Sequence, residues 1–190
     1  MSALSYGDRM RARPLRRFAD WFFDGAAQIR TLIAFSAFLY LRVPLVGRSL
    51  SRWLDCWLRI LFGMEVCSFS IHVKHLQMAH SVGCVLGGNG IRSDGRVIVM
   101  AGVIFGAKHF DSPSYREAHK TSSTFCLGDN IVLCSHAILL GPLSICDNVV
   151  VAAGAIVRDS IQAPGVYAGN PARKVADYSD WMKCADHVFG

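Results

Sequence analysis

The repeat that decides the fold lies in residues 127–161, which read LGDNIVLCSHAILLGPLSICDNVVVAAGAIVRDSI. An aliphatic residue returns at every sixth position, and a second apolar residue follows each of them four positions later. The first series is Leu127, Leu133, Leu139, Ile145, Val151 and Val157, and the second is Ile131, Ala137, Leu143, Val149, Ala155 and Ile161. A helix has a period of about 3.6 and an ordinary strand a period of two. A period of six therefore predicts an all-β solenoid, in which each hexad forms a short strand and a turn.

The repeat extends toward the N-terminus with one interruption. Val97 and Val103 show the same period, with Ala101 and Ala107 four residues after them, and the pattern is fainter from residue 66 to residue 84. The polar stretch 109–126 breaks the repeat and predicts an extruded loop, a feature that is often functional. We therefore expect the repeat domain to span residues 63–175 and a C-terminal tail to span residues 176–190.

Residues 1–62 have a different pattern, which predicts a helical N-terminal cap. Apolar residues recur at helical spacing around Trp21 and again around Trp53 and Trp57, and Pro44 and Gly47 separate at least two helices. This region holds ten Arg and four Asp, so it carries the whole net charge of +6. Arginines interleaved with aromatic residues in 9–62 permit two interpretations. One is a helix pair that joins copies of the chain, and the other is peripheral contact with an anionic membrane surface.

The sequence disfavours three further classes of protein, namely membrane-spanning proteins, nucleic-acid-binding proteins and secreted proteins held together by disulfides. The apolar run Thr31–Leu41 has eleven residues, whereas a membrane span needs about 20, and no signal-peptide cleavage site follows it. No RNA-binding motif or zinc-finger spacing accompanies the basic charge, so we expect no nucleic-acid partner. The seven Cys form no CxxC pair, which predicts reduced thiols and a cytoplasmic location, with the inner face of a membrane as an option.

The hexads, the extruded loop and the ending GVYAGNPAR (165–173) resemble the hexapeptide-repeat acyltransferases. The segments GMEV (63–66), HSVGCVLG (80–87) and GVIFGA (102–107) are most similar to serine acetyltransferases and their polysaccharide-modifying relatives. This resemblance implies a left-handed parallel β-helix that uses acetyl-CoA as donor. It also implies a homotrimer with the donor in a groove between neighbouring chains. The helical cap is similar to the part of serine acetyltransferases that can pair trimers into hexamers.

Acetyl transfer from a thioester to an alcohol needs a general base and a group that orients it. His80 matches the catalytic His of serine acetyltransferases, and Glu65, fifteen residues earlier, matches the acidic residue that orients it. His109 is the rival base, because the run AKHFDSP (107–113) is similar to the catalytic loop of maltose and galactoside acetyltransferases. No Cys or Ser stands out as a covalent nucleophile, so we expect direct transfer.

The resemblance also implies positions for the donor. Gly106 and Ala107 match glycines whose backbone approaches the pantetheine arm, Ser135 lies at a hexad position that contacts it, and Arg173 and Lys174 are candidate partners of the CoA phosphates. The cluster His72, His75 and His80 raises a zinc hypothesis, since γ-class carbonic anhydrases combine the same prism with three His. Their ligand spacing differs from the spacing here, so no metal is expected.

The sequence departs from true serine acetyltransferases at three positions that matter for the acceptor. Ala79 replaces an Asp before the catalytic His, and Ser123 and Thr124 replace an Arg-His pair that grips the amino acid. Binding a zwitterion without charged partners is costly. The leading hypothesis is therefore O-acetylation of a sugar or surface-polysaccharide precursor. The alternatives are serine O-acetylation for cysteine synthesis and a non-catalytic β-helix scaffold.

Overall fold

The computed structural model describes residues 25–87, 90–109, 111–121 and 123–179. Helices in this part are α1 (Gly25–Arg42), α2 (Gly47–Phe62) and α3 (Pro113–Lys120). The predicted cap thus contains a pair of helices, and the segment with Pro44 separates them as expected. The earlier part of the cap, with Trp21, and the end of the tail lie outside the described residues.

Short strands make up most of the remainder. They are β1 (Glu65–Val66), β2 (Ile71–Met78), β3 (Val85–Leu86), β4 (Ile91–Val99), β5 (Ile104–Ala107), β6 (Phe125–Leu127), β7 (Ile131–Leu133), β8 (Ile138–Gly141), β9 (Leu143–Ile145), β10 (Val149–Val151), β11 (Ile156–Val157), β12 (Gly165–Ala168) and β13 (Arg173–Ala176). Every strand pair is parallel except that of β12 and β13, which is antiparallel. A parallel ladder requires a long connection between neighbouring strands, as the winding of a coil provides.

The strands form two sheets. One ladder is β1-β3-β5-β8-β11. The other sheet runs β13-β12-β10-β7-β4-β6-β9, with β2 beside β4. The long strand β4 pairs with β6 through its first residues and with β7 through its last residues, so this sheet turns a corner within β4 and covers two faces. The chain therefore visits three faces in turn.

The register of these ladders agrees with the hexads. Ile131 pairs with Val149, Ile138 with Ile156, and Phe125 with Leu143, and the partners in each pair are three hexads apart in the sequence. One turn of the coil therefore takes three hexads. Each of these hexads supplies one strand, and each strand lies on a different face. Both predicted series of apolar residues from Leu127 onward are buried, since no member is more than 6% exposed. The hexads thus build the core.

The phase predicted for the earlier hexads was wrong by two positions. Val97 pairs with Ile131, and Val99 pairs with Leu133, so Val97 belongs to the second apolar series. Strand partners that lie on opposite sides of the insertion, such as Val97 and Ile131, are separated in the sequence by two residues fewer than six hexads. The insertion therefore adds a length that is not a whole number of hexads, and the phase cannot be carried across it. Ala107, which the predicted phase placed in the second apolar series, is accordingly exposed.

The helices α1 and α2 form an antiparallel hairpin that closes one end of the coil. Ile29, Ile33 and Leu58 join the same buried cluster as the strands. The hairpin is tied to the first coil by Asp55, whose Oδ1 accepts hydrogen bonds from Ser36 Oγ at 2.8 Å and from Ser68 Oγ at 2.6 Å. Among the described residues, no helix has the length and apolar character that crossing a bilayer requires.

Candidate functional site

The insertion leaves the coil directly after β5 and re-enters it at β6. Its predicted bounds were too wide, because Phe125 and Cys126 already belong to β6. It also contains α3, where a loop without regular structure was expected. Ser112 caps this helix, its Oγ accepting from the Tyr115 N–H at 3.2 Å, and Pro113 occupies the first turn. A Ser followed by Pro is a recognised signal for a helix start, so α3 could have been found from the sequence.

A pocket of about 410 Å³ lies at the base of the insertion. It is lined by Lys108, His109, Ser112, Ser114, Pro142, Arg158, Asp159 and Ser160. These residues come from three adjacent coils, because β5, β8 and β11 are neighbours in one ladder and the pocket lies at their C-terminal ends. The pocket is polar, holds charges of both signs, and includes one of the two predicted bases.

Lys108 forms hydrogen bonds to residues of the two following coils at the pocket wall. Its backbone N–H donates to the Gly141 carbonyl at 2.8 Å and continues the ladder between β5 and β8. Its Nζ donates to Asp159 Oδ1 and to the Arg158 carbonyl, both at 3.0 Å. The hydrogen bond from Lys108, together with its charge, lowers the pKa of the Asp159 carboxyl. Asp159 therefore stays ionised and anchors Lys108 at the pocket wall.

His109 is exposed and follows Lys108 at the start of the insertion. Its carbonyl oxygen accepts from the Ser112 N–H at 3.1 Å, which forms a turn leading into α3. The Ser112 and Ser114 hydroxyls lie 3.2 Å apart on the same wall of the pocket. An imidazole that borders an open polar pocket is placed to take a proton from a bound hydroxyl.

His80 and Glu65 lie elsewhere. His80 is exposed in the connection from β2 to β3, which is longer than the corresponding connection from β4 to β5 in the next coil. Glu65 is exposed in β1, beside Val85. Within the described ranges, no hydrogen bond or ion pair joins Glu65 to His80. Neither residue lines the pocket at His109.

The two predicted bases therefore occupy opposite edges of one face. His80 precedes β3 and His109 follows β5, and these strands are parallel neighbours. Within one chain, His80 and His109 therefore do not line a common pocket. Only an adjacent copy of the chain could bring a second His80 to His109.

The residues predicted to bind the donor are spread over both edges of this face. Gly106 and Ala107 end β5 and pair with Leu140 and Gly141, so they lead into the pocket. Ser135 lies at the far edge, where its carbonyl accepts from the Gly154 N–H at 3.0 Å.

Arg173 and Lys174 lie in the last strand, β13, and are exposed. The Lys174 Nζ is 2.7 Å from Asp177 Oδ1, so a CoA phosphate at this position would compete with a carboxylate.

The three His of the zinc hypothesis do not converge. His75 lines a separate cavity of about 530 Å³ with Asp94, Asp129 and Asp147, whereas His72 and His80 do not. The Asp129 Oδ1 accepts the backbone N–H groups of Arg96 and Asn130, and these hydrogen bonds lower the pKa of its carboxyl. The Asp129 carboxylate thus stabilises the backbone of the turns at this corner. Burial, followed by the nearby Arg92 charge, lowers the pKa of His72.

Sequence reasoning missed every residue of the pocket except His109, namely Lys108, Ser112, Ser114, Pro142, Arg158, Asp159 and Ser160. The register supplies the signal that would have found some of them. Because Ala107 pairs with Gly141, the next residues, Lys108 and Pro142, stack at the same corner. Ser160 follows Pro142 by three hexads, which places it one coil further along that corner.

Comparison with known proteins supports this fold. No family model matches the chain. A Schizosaccharomyces pombe protein, provisionally named as a serine acetyltransferase, is 29% identical over 119 residues, which are 63% of this chain and 41% of that protein. The chain thus spans less than half of this relative.

Solved structures give the same result. A serine O-acetyltransferase of Brucella melitensis, described as a bacterial transferase hexapeptide repeat, superposes with a TM-score of 0.68 at 17% identity, covering 82% of this chain and 58% of that one. A serine acetyltransferase in complex with CoA gives a TM-score of 0.63 at 18% identity, covering 78% and 55%. The predicted resemblance to the hexapeptide-repeat acyltransferases is therefore confirmed, and the chain has the fold of their serine acetyltransferases.

Proposed function

We propose that this chain is an acetyl-CoA-dependent O-acetyltransferase whose general base is His109. The observation that carries this proposal is the pocket at the base of the insertion, which places an exposed imidazole among hydroxyl and charged groups. The similarity to serine acetyltransferases, one of them solved with CoA, supports the donor. The scaffold alternative loses support, because a purely structural coil does not need this pocket.

The chemistry is direct transfer. The acceptor hydroxyl enters the pocket and gives its proton to the His109 imidazole as its oxygen attacks the thioester carbonyl. The tetrahedral intermediate collapses, the C–S bond breaks, and the proton passes from His109 to the leaving CoA sulfur. The acetyl ester and free CoA are the products, so no oxidant or reductant is needed. Gly106 and Ala107, at the end of β5, line the path by which the pantetheine arm reaches the pocket.

The first acceptor to test is L-serine. The relatives found by comparison are named as serine acetyltransferases. The pocket also supplies charged groups, which this sequence lacks at residues 123 and 124. Arg158 suits an α-carboxylate, and Asp159, which already accepts from Lys108, suits an ammonium group. The loop cations Arg116 and Lys120 do not line the pocket, and they pair with Asp111 and Glu117.

A sugar hydroxyl is the second candidate. Thr124 is fully buried beneath the insertion, so it cannot grip an amino acid as the Arg-His pair does in true serine acetyltransferases. Three serine hydroxyls face the pocket and suit a neutral polyol. No comparison supports a carbohydrate acceptor, and the polysaccharide hypothesis that led from the sequence is therefore placed second.

The proposal includes the assembly. A left-handed coil and a homotrimer with the donor between copies follow from the resemblance. Ser135 and His80 lie at the edge of the face opposite to the pocket, and a neighbouring copy is needed to bring them near His109. The pairing of trimers and a cytoplasmic location stay predictions.

The test is an acceptor panel with a thiol-release readout. Purified full-length protein is given acetyl-CoA with L-serine in one series and with mono- and oligosaccharides in the other. CoA release above the hydrolysis background with L-serine supports the proposal as stated. Release with a sugar alone overturns the serine assignment in favour of the second candidate. No acceptor-dependent release in either series, from folded protein that binds acetyl-CoA, overturns the transferase proposal.

A further inference from the structure

The exposed apolar side chains of the described chain are concentrated on the helical hairpin. Twelve large hydrophobic side chains are exposed in the described residues, and ten of them lie between Phe35 and Leu61. We call these ten the apolar patch: Phe35, Phe38, Leu41, Leu45, Val46, Leu50, Trp53, Trp57, Ile60 and Leu61. Exposed apolar surface of this extent is uncommon on monomeric soluble proteins and marks a contact surface.

The patch follows helical spacing on α2. Leu50, Trp53, Trp57 and Ile60 recur at intervals of three and four, so they share one side of the helix. The Trp53 and Trp57 rings touch edge to face with centroids 5.6 Å apart. The residues that pack inward, such as Leu58, lie on a different side. The exposed side is therefore a second apolar face in addition to the one that stabilises the fold.

The hairpin holds the patch in a fixed orientation. The Ser36 and Ser51 hydroxyls lie 2.8 Å apart between the helices, and Asp55 links both helices to Ser68 of the first coil. Gly47 allows the start of α2 to approach the Leu39 carbonyl, since a Cβ there would clash with it. Leu45 is 97% exposed at the tip between the helices. Preorganisation lowers the cost of binding a surface.

The charge of the hairpin is predominantly positive. Residues 25–62 contain five Arg and one acidic residue, Asp55. Asp55 is partly buried and occupied by the hydrogen bonds to Ser36 and Ser68. The arginines are Arg30, Arg42, Arg48, Arg52 and Arg59, all exposed, and none forms an ion pair within the described part of the chain.

We propose that the apolar patch binds the surface of an anionic lipid membrane. Such a surface supplies acyl chains for Trp53 and Trp57 and negative headgroups for the arginines, so it matches both features at once. A second copy of this chain would match the apolar side chains but would bring an equal surplus of arginines against the first. The charge therefore favours the membrane over self-association. This proposal is independent of the acceptor and of the catalytic base.

Vesicle flotation of the full-length protein tests it. We expect binding to phosphatidylcholine vesicles that contain phosphatidylserine, little binding to phosphatidylcholine alone, and release at high salt. Trp53→Ser with Trp57→Ser should abolish binding. Arg52→Gln should weaken it about fivefold, as expected for one cation at an anionic surface. Val82→Ser and Arg96→Gln, exposed positions outside the hairpin, are the matched controls and should leave binding unchanged.

Two further readouts keep the proposal open to contradiction. Leu45→Ser changes a side chain with almost no contacts, so it tests the patch even if the double Trp variant fails to fold; we expect several-fold weaker binding. Light scattering of the same variants reports the mass of the assembly. A mass that falls when the patch is changed, or anionic vesicles that fail to bind the unaltered protein, would overturn the proposal.

Discussion

Lys108 Nζ lies 3.0 Å from Asp159 Oδ1 and thereby links the start of the insertion to a coil much further along the chain. The side chain of Lys108 is 31% exposed and that of Asp159 is 67% exposed, so water screens this pair and its part in overall stability is small. Its consequence is positional, because Lys108 precedes His109 directly. The pair fixes the backbone from which the proposed base projects.

Lys108→Met should therefore impair catalysis more than folding. We expect kcat/KM for acetyl-CoA to fall on the order of tenfold, since a small displacement of a catalytic group is costly. The thermal midpoint should fall by a small but measurable amount, since the pair is exposed. Lys120→Met is the control, as Lys120 pairs with Glu117 on α3 and does not line the pocket. Equal losses of kcat/KM in the two variants would contradict the positional role of Lys108.

The same pair predicts a pH dependence of stability. Lys108 lowers the pKa of Asp159 in the folded state, so the contribution of the pair is fully present above the ordinary Asp range. It is lost as the pH falls through the lowered folded value. The difference in thermal midpoint between Lys108→Met and the unaltered protein should therefore be constant from about pH 8 to about pH 5 and shrink only at lower pH. A difference that disappears already near neutral pH would contradict this account.

The inward and outward positions of one strand should respond differently to truncation. Leu139 is fully buried in the core, whereas its neighbour Leu140 points away from it and is half-buried. Leu139→Ala should lower the free energy of unfolding by about 2–5 kcal/mol. Leu140→Ala should cost clearly less. Denaturant unfolding of both variants measures the difference, and similar costs would mean that the predicted core register is incorrect.

Gly102 should be intolerant of a side chain. It has a φ of +69°, and a Cβ there would collide with the His136 ring at the same corner of the next coil. Gly102→Ala should therefore destabilise the protein by about 1–3 kcal/mol. Gly87→Ala is the control, because its Cβ would meet only the Phe105 carbonyl at 3.4 Å and the Val85 side chain. Thermal unfolding that ranks the two variants in the reverse order would contradict the close stacking at this corner.

The sequence predicted the coil best where its repeat is uninterrupted. Leu127 to Ile161 follow one phase, and every predicted inward residue is buried. The phase failed at Val97 because the insertion does not add a whole number of hexads, so the period of six is not preserved across it. Inside the insertion, Ser112 and Pro113 indicate the start of a helix. The polar composition of the insertion does not reveal this helix.

The site was harder to predict, because a pocket at a corner combines residues from separate coils. His109 was identified as a candidate from its local run. Asp159 was not, because it meets Lys108 only through the stacking of β5, β8 and β11. The pairing of Glu65 with His80 depended on a family offset, and no hydrogen bond joins them in the described residues. Which residues of separate coils lie next to each other can be determined only once the register is known.

The most direct test of the proposed function compares two histidine variants in the same assay. CoA release from acetyl-CoA is measured for His109→Asn and His80→Asn with the acceptor that the panel identifies, after circular dichroism confirms that both are folded. We predict that His109→Asn lowers kcat about 100- to 10,000-fold, the contribution of a general base. His80→Asn should retain most of the rate. A severe loss in His80→Asn with near-normal activity in His109→Asn would contradict the assignment and make His80 the base.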